Sequence, residues 1–290
     1  MRASRAAVLG AAWVGLGAAL SAGWYGWLGL TRDNGLATFA YDQAFFQQLV
    51  WNLGHGRWFT SSFNEGSFLG LHFEPLLVLP AALELAWPDP RLLSLLAAVS
   101  IGAISLAAFL FLNELTARPG LSALLAAPLP FWPALQEAAR AGYHTETLGI
   151  SLALLAGWAA LRARANLCWF LAVLALGAKE DQAWNLLTIG LALASTPATR
   201  QIGRRLALVA VAAGVAIAGG LMPLLRAGHH AETDNYYSWL ASPTPAGIGH
   251  ALTLPSGWWA ALLMIACAGC LPLLRPRWLA LAVPPLLGDL

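Results

Sequence analysis

The sequence predicts an all-α fold. It reads as a polytopic bundle of about eight or nine transmembrane helices, with an amphipathic interface helix in the first outer loop. Three observations predict it. Of 290 residues, 59% are hydrophobic and only 10% are charged, whereas ordinary soluble domains carry roughly 25% charged residues. Apolar stretches recur at or near the roughly 20 residues that span a bilayer. The arginines gather in short clusters between those stretches, as the positive-inside pattern requires. The 14 Trp suit interfacial belts as well as packing.

Other classes are excluded on the same grounds. The net charge is +2, with no basic stripe or tail of the kind that grips nucleic acid. Cys168 stands alone in an apolar stretch, and Cys267 with Cys270 forms a CxxC without a second pair or a nearby His. Small residues in a membrane helix are the better reading than zinc. The stretch from Ala6 to Leu30 is too long for the apolar core of a cleaved signal and reads as a first span.

Taken in order, spans are expected at about Ala6–Leu30, Leu92–Asn113, Leu121–Leu135, Thr147–Leu161, Leu167–Ala178, Ala183–Ala194, Leu206–Leu225 and Trp258–Leu274. A further apolar run begins at Trp278 and continues to Leu290, so the chain is expected to be part of a longer protein. No soluble domain and no internal repeat stands out. Residues 1–290 are expected to form a single membrane domain, with its motif-bearing core at about 37–185.

Arginine placement sets the orientation. Arg2 and Arg5 put the N-terminus inside, and the clusters at Arg162 and Arg164, at Arg200, Arg204 and Arg205, and at Arg275 and Arg277 follow it. This holds if Pro75–Trp87, a short run containing Pro80 and Glu84, lies in the interface or re-enters without crossing. The residues left over then sort strongly. Twelve of the 14 acids, all six His and the one lysine fall outside. The outer face is expected to carry the chemistry. The spans between Thr147 and Ala194 are 12–15 residues long, which at 1.5 Å per residue reaches roughly 18–23 Å of a core about 30 Å thick. A cavity at headgroup depth follows, and polar groups there must face protein or water.

Four constellations lie on that face. Tyr41-Asp42-Gln43-Ala44-Phe45-Phe46-Gln47-Gln48-Leu49-Val50-Trp51-Asn52-Leu53 gathers Phe45, Phe46, Leu49, Val50 and Leu53 on one helical side, as an interface helix does. Asp42, in its first turn, serves either to stabilise the helix N-terminus or as a general base over the crevice. His72-Phe73-Glu74-Pro75 and Tyr143-His144-Thr145-Glu146 each present a His-x-Glu. Together His72, Glu74, His144 and Glu146 offer nitrogen and oxygen ligands for a divalent metal such as zinc or manganese. Alternatively, each His bonds its own neighbouring carboxylate. Lys179-Glu180-Asp181 lies between two short apolar segments, where it is either a self-neutralising turn or a holder of an anionic group such as a lipid phosphate. His229, His230, Glu232 and Asp234 read as a solvated outer loop.

These motifs resemble those of DUF2079, a family of predicted prokaryotic membrane proteins, over roughly Ala37 to Asn185. The stretches that carry the likeness are Tyr41-Asp42 through Trp51-Asn52, Gly70-Leu71-His72-Phe73-Glu74-Pro75, Tyr143-His144-Thr145-Glu146 and Lys179-Glu180-Asp181. That family in turn looks like the GT-C class of membrane glycosyltransferases, so the resemblance implies a GT-C-like bundle in a prokaryotic plasma membrane. It implies transfer of a sugar from a polyprenyl-phosphate donor to an acceptor at the outer face. Asp42 would be the catalytic base, and Gln48, Trp51, Lys179, Glu180 and Asp181 would contact the substrate. The chain departs from the family at Gln47-Gln48, where an Asp-Gln pair is common, and at Gly142, where an acid is common. Both changes remove candidate ligands. A polytopic lipid or solute transporter and a non-catalytic assembly subunit are the alternative readings. Membrane lipid and the polyprenyl-linked sugar are the expected partners. No nucleic acid and no certain cofactor are expected, and a divalent metal is the one candidate.

Overall fold

A computed structural model describes residues 5–37 and 40–229. The described residues are helical throughout, with no strand among them. They fall into two units that divide between Gln182 and Ala183. The expected span at Trp258–Leu274, the run from Trp278, the pair Cys267 and Cys270, and His230, Glu232 and Asp234 lie outside the described residues.

In the first unit, α1 (Arg5–Asn34) and α5 (Arg91–Thr116) are the two long apolar helices. Both are long and apolar enough to cross a membrane. They pack along one another, and α8 (Thr145–Leu161) packs on α5 and on α9 (Ala165–Ala178). The contact faces are rich in Ala, Gly and Ser, including Ala98, Ser105, Ala153, Ala156 and Ala160, all buried. Small residues let helix backbones approach where lipid offers no hydrophobic drive between helices. The outer faces keep Val8, Leu9, Trp13, Trp24 and Trp27 exposed, as lipid-facing surface does.

Between α1 and α5 runs the segment that builds the site. Helix α2 (Ala40–Gly54) buries Phe45, Phe46, Leu49, Val50 and Leu53, the apolar side read from the sequence. They pack with Phe59, Phe68, Leu77, Ala81, Leu93 and Tyr143 in one core. A turn, α3 (Phe68–Leu71), leads through extended backbone at His72 to a 3-10 turn at Pro75–Leu77 and α4 (Val78–Ala86). Pro75–Ala86 is too short an apolar helix to be a span by length.

One expected span is not continuous. The stretch 121–135 is divided among α6 (Pro119–Ala126), a 3-10 turn at Leu129–Phe131 and α7 (Pro133–Ala141). Pro128, Pro130 and Pro133 remove backbone donors and clash with the preceding turns, which breaks a helix regardless of its hydropathy. Tyr25 Oη donates to the Pro130 carbonyl at 2.7 Å and ties the break to α1.

In the second unit, α10 (Gln182–Ala194, beginning at the boundary) is followed by α11 (Arg200–Ala216), a π turn at Ile217–Leu221 and α12 (Met222–Arg226). Arg200–Arg226 is the third helical stretch long and apolar enough to cross a membrane.

Candidate functional site

Three motifs far apart in sequence meet at the ends of α8 and α9. The backbone leaves helix at Lys179, which is extended after α9. Lys179 Nζ pairs with Glu146 in the first turn of α8 and lies 3.8 Å from Asp181 Oδ2. Glu180 reaches back to the extended segment after α3. Its Oε1 lies 3.0 Å from His72 Nδ1, and its Oε2 accepts the Phe73 N–H at 2.8 Å. Asp181 Oδ1 accepts from Gln182 Nε2 at 3.0 Å. Close packing permits this junction. A Cβ on Gly149 of α8 would sit 2.8 Å from the Gln182 side chain and 2.9 Å from Ala178 Cβ.

Glu74 completes the cluster from below. It is 3% exposed, and its Oε2 has no hydrogen-bond partner among the described residues. Burial pushes its carboxyl up to about 8, against the pull of Lys179 and His72. An uncharged acid is the physical answer to a carboxyl that is buried without a donor. Burial also raises Asp181, to about 6, with Lys179 opposing. For His72, burial works against the charged ring, but the Glu180 carboxylate outweighs it and the imidazole pKa is raised. Desolvation likewise works against the Lys179 ammonium, and Glu146 and Asp181 more than offset it.

The His-x-Glu pairs are therefore not closed on themselves. His72 takes Glu180 rather than Glu74, and Glu146 takes Lys179 rather than His144. His144 precedes α8 in extended conformation, with its Nδ1 3.4 Å from the Gly142 carbonyl oxygen. Among the described residues no group of three or more His, Cys, Asp or Glu is arranged to hold a metal ion. The positive charge among these carboxylates comes from Lys179.

Helix α2 lies against this cluster. Phe46 packs edge-on against Tyr143, His144 and Phe68, with ring centroids 6.0, 5.3 and 5.9 Å away, and Phe68 in turn meets His72 at 6.0 Å. Asp42 stands one turn before Phe46 on the same helix face. Gln43 fixes the register. Its Oε1 accepts the Tyr143 N–H at 3.2 Å, and its Nε2 donates to Ser94 Oγ, which donates to Asp33 Oδ2 at 2.6 Å. Gly142 has φ +120°, and a Cβ there would meet Gln43 Oε1 at 2.6 Å. A larger residue would strain this backbone.

Farther along α2, Gln48 Oε1 accepts from Ser61 Oγ at 2.6 Å and from the Ser62 N–H at 2.7 Å. It anchors the loop 55–67. Trp51 is 45% exposed and stacks on His55 at 3.9 Å. Sequence reasoning missed Gln43, Ser94 and the contact between Gln47 of α2 and Glu84 of α4. The signal for Gln43 was its place beside Asp42, on the polar border of an otherwise apolar helix face.

The long apolar helices, the small-residue interfaces and the charged groups set among short apolar segments define an integral membrane protein. Within that class the chain belongs to the DUF2079 family of predicted membrane proteins, whose defining pattern matches residues 32–289. No curated protein and no solved structure matches it.

Proposed function

We propose that this protein transfers a sugar from a polyprenyl-phosphate donor to an acceptor at the outer face of a prokaryotic plasma membrane, with its N-terminus on the cytoplasmic side. The observation that carries the reading is the packing of Phe46 on His144, which brings the helix bearing Asp42 beside the segment that leads into Glu146. In this reaction Asp42 takes the proton of the acceptor hydroxyl as its oxygen attacks the anomeric carbon. The bond from that carbon to the phosphate oxygen breaks, its electron pair goes to the phosphate, and the lipid phosphate leaves. Lys179 has three N–H donors. Two face Glu146 and Asp181, and its side chain keeps 20% exposure, so the third serves a phosphate oxygen. Glu180 holds His72 at the mouth of the site, Asp181 steadies Lys179, and Gln48 with Trp51 shapes the rim. The resemblance to GT-C enzymes supports the same assignment of Asp42.

The test is transfer of labelled sugar from a polyprenyl-phosphate donor by the full chain in proteoliposomes. Asp42→Asn and Lys179→Met are expected to lose transfer. Full transfer by the Asp42→Asn protein removes the base assignment. A second reading, proton-linked transport, is favoured by one observation: the buried Glu74 carboxyl, whose Oε2 has no hydrogen-bond partner among the described residues and whose burial favours its neutral form. Movement of an unaltered solute across the same vesicles would select it.

A further inference from the structure

One turn beyond Gln43, the α2 helix meets α4 through a second polar pair. Gln47 Nε2 donates to Glu84 Oε1 at 3.1 Å. The other oxygen of each group, Gln47 Oε1 and Glu84 Oε2, is buried and has no hydrogen-bond partner among the described residues. Glu84 is 2% exposed and lies between Leu83 and Leu85 on an apolar helix. Of the elements packed on α4, α2 brings Gln47 and, just past its end, His55, the titratable group that acts on Glu84. The turn at Pro75–Leu77 and α5 bring no ionisable group that acts on it.

Two acceptors left over on one bonded pair are a specific deficit. An amide has two donors on nitrogen and none on oxygen, and an ionised carboxylate has none at all. Turning the amide over does not cure it, because the Gln47 oxygen would then face a carboxylate oxygen. One proton satisfies both orphans, since an acid O–H on Glu84 Oε2 donates to Gln47 Oε1 while the amide donates back.

We propose that Glu84 carries a proton and closes a two-bond acid–amide ring with Gln47, and that this ring locks α2 against α4. Resting on the transferase reading, this makes Glu84 a positioning residue, acting through Gln47 on the helix that carries Asp42. The lock holds while Glu84 is protonated and opens when it ionises as pH rises.

The test needs no transfer assay. Infrared difference spectra of the full chain in proteoliposomes compare the wild type with Glu84→Gln, an isostere that keeps a ring of two amides. At pH 7 the wild-type-minus-variant difference is expected to show a protonated-carboxyl C=O band beyond the one that Glu74 gives to both proteins, and Gln47→Leu is expected to shift that difference band. A difference showing only carboxylate bands, or a band unmoved by Gln47→Leu, overturns the proposal. Trypsin cleavage at Arg57, which follows α2 and is exposed, gives the mechanical readout. Cleavage of the wild type is expected to rise severalfold with pH relative to Glu84→Gln, and an equal response of the two overturns the lock. If Glu84 behaves as expected while the wild-type protein transfers no sugar, the transferase reading falls and the ring stands.

Discussion

The side-chain oxygen of Gln43 accepts the backbone N–H of Tyr143 at 3.2 Å, across 100 positions of sequence. This contact sets the distance between the helix that carries Asp42 and the strand of chain that carries His144. Replacement by Leu removes the acceptor and leaves the Tyr143 N–H buried without a partner. A loss of about 2 kcal/mol is expected, read as a lower midpoint in denaturant or heat in detergent micelles.

Lys179 gives the second prediction. Lys179→Met strands Glu146 and Asp181 together, and breaking a pair of this kind costs about 3 kcal/mol. Adding Glu146→Met to Lys179→Met removes one of the stranded charges. The double variant is expected to be more stable than Lys179→Met alone, and a double-mutant cycle on thermal midpoints measures the coupling.

Glu74 makes stability depend on pH with a defined sign. Its folded value, about 8, lies above the ordinary 4.5. The stabilisation from a buried neutral acid is therefore full below about pH 4.5 and is lost as pH rises through 8. Glu74→Gln keeps the shape without the ionisation. The variant is expected to match the wild type at the acid end, to gain in relative midpoint between about pH 4.5 and 8, and to hold that gain above pH 8. Parallel curves across that window would show that Glu74 ionises freely.

Gly149 tests the junction of α8 with Ala178 and Gln182. A Cβ there would stand 2.9 Å from Ala178 Cβ, and neither backbone can yield cheaply. Gly149→Ala is expected to cost about 1–3 kcal/mol, whereas Gly17→Ala, with nothing within 4 Å of its Cβ position, is expected to be neutral or stabilising. Thermal midpoints of the two proteins settle the contrast.

Hydropathy and periodicity made the helices legible. The sequence limits for α1, α5, α8, α9 and α10 lie within a few residues of the structural ones, because length and apolar content alone determine those elements. The stretch 121–135 misled, since hydropathy weighs proline lightly while three prolines within six positions end any helix. His72, Glu146, Lys179, Glu180 and Asp181 stand in motifs that the sequence displays, but which of them meet was not legible. His72 with Glu180, and Glu146 with Lys179, are separated by 108 and 33 positions, and no local pattern encodes which acid a given imidazole or ammonium meets. Gln43 was overlooked for the same reason, because its meaning lies in Tyr143 and Ser94.

Those two separations also imply an order of assembly. The Lys179–Glu146 pair closes within the α8–α9 hairpin, so that segment can enter lipid with its ammonium already neutralised. The His72–Glu180 pair must wait for the hairpin, since it joins a partner made 108 residues earlier. Until then the emerging chain holds His72 and Glu74 without the charges that later surround them. The cluster can therefore be complete only once Lys179-Glu180-Asp181 has joined the chain, since those residues supply one partner of each pair.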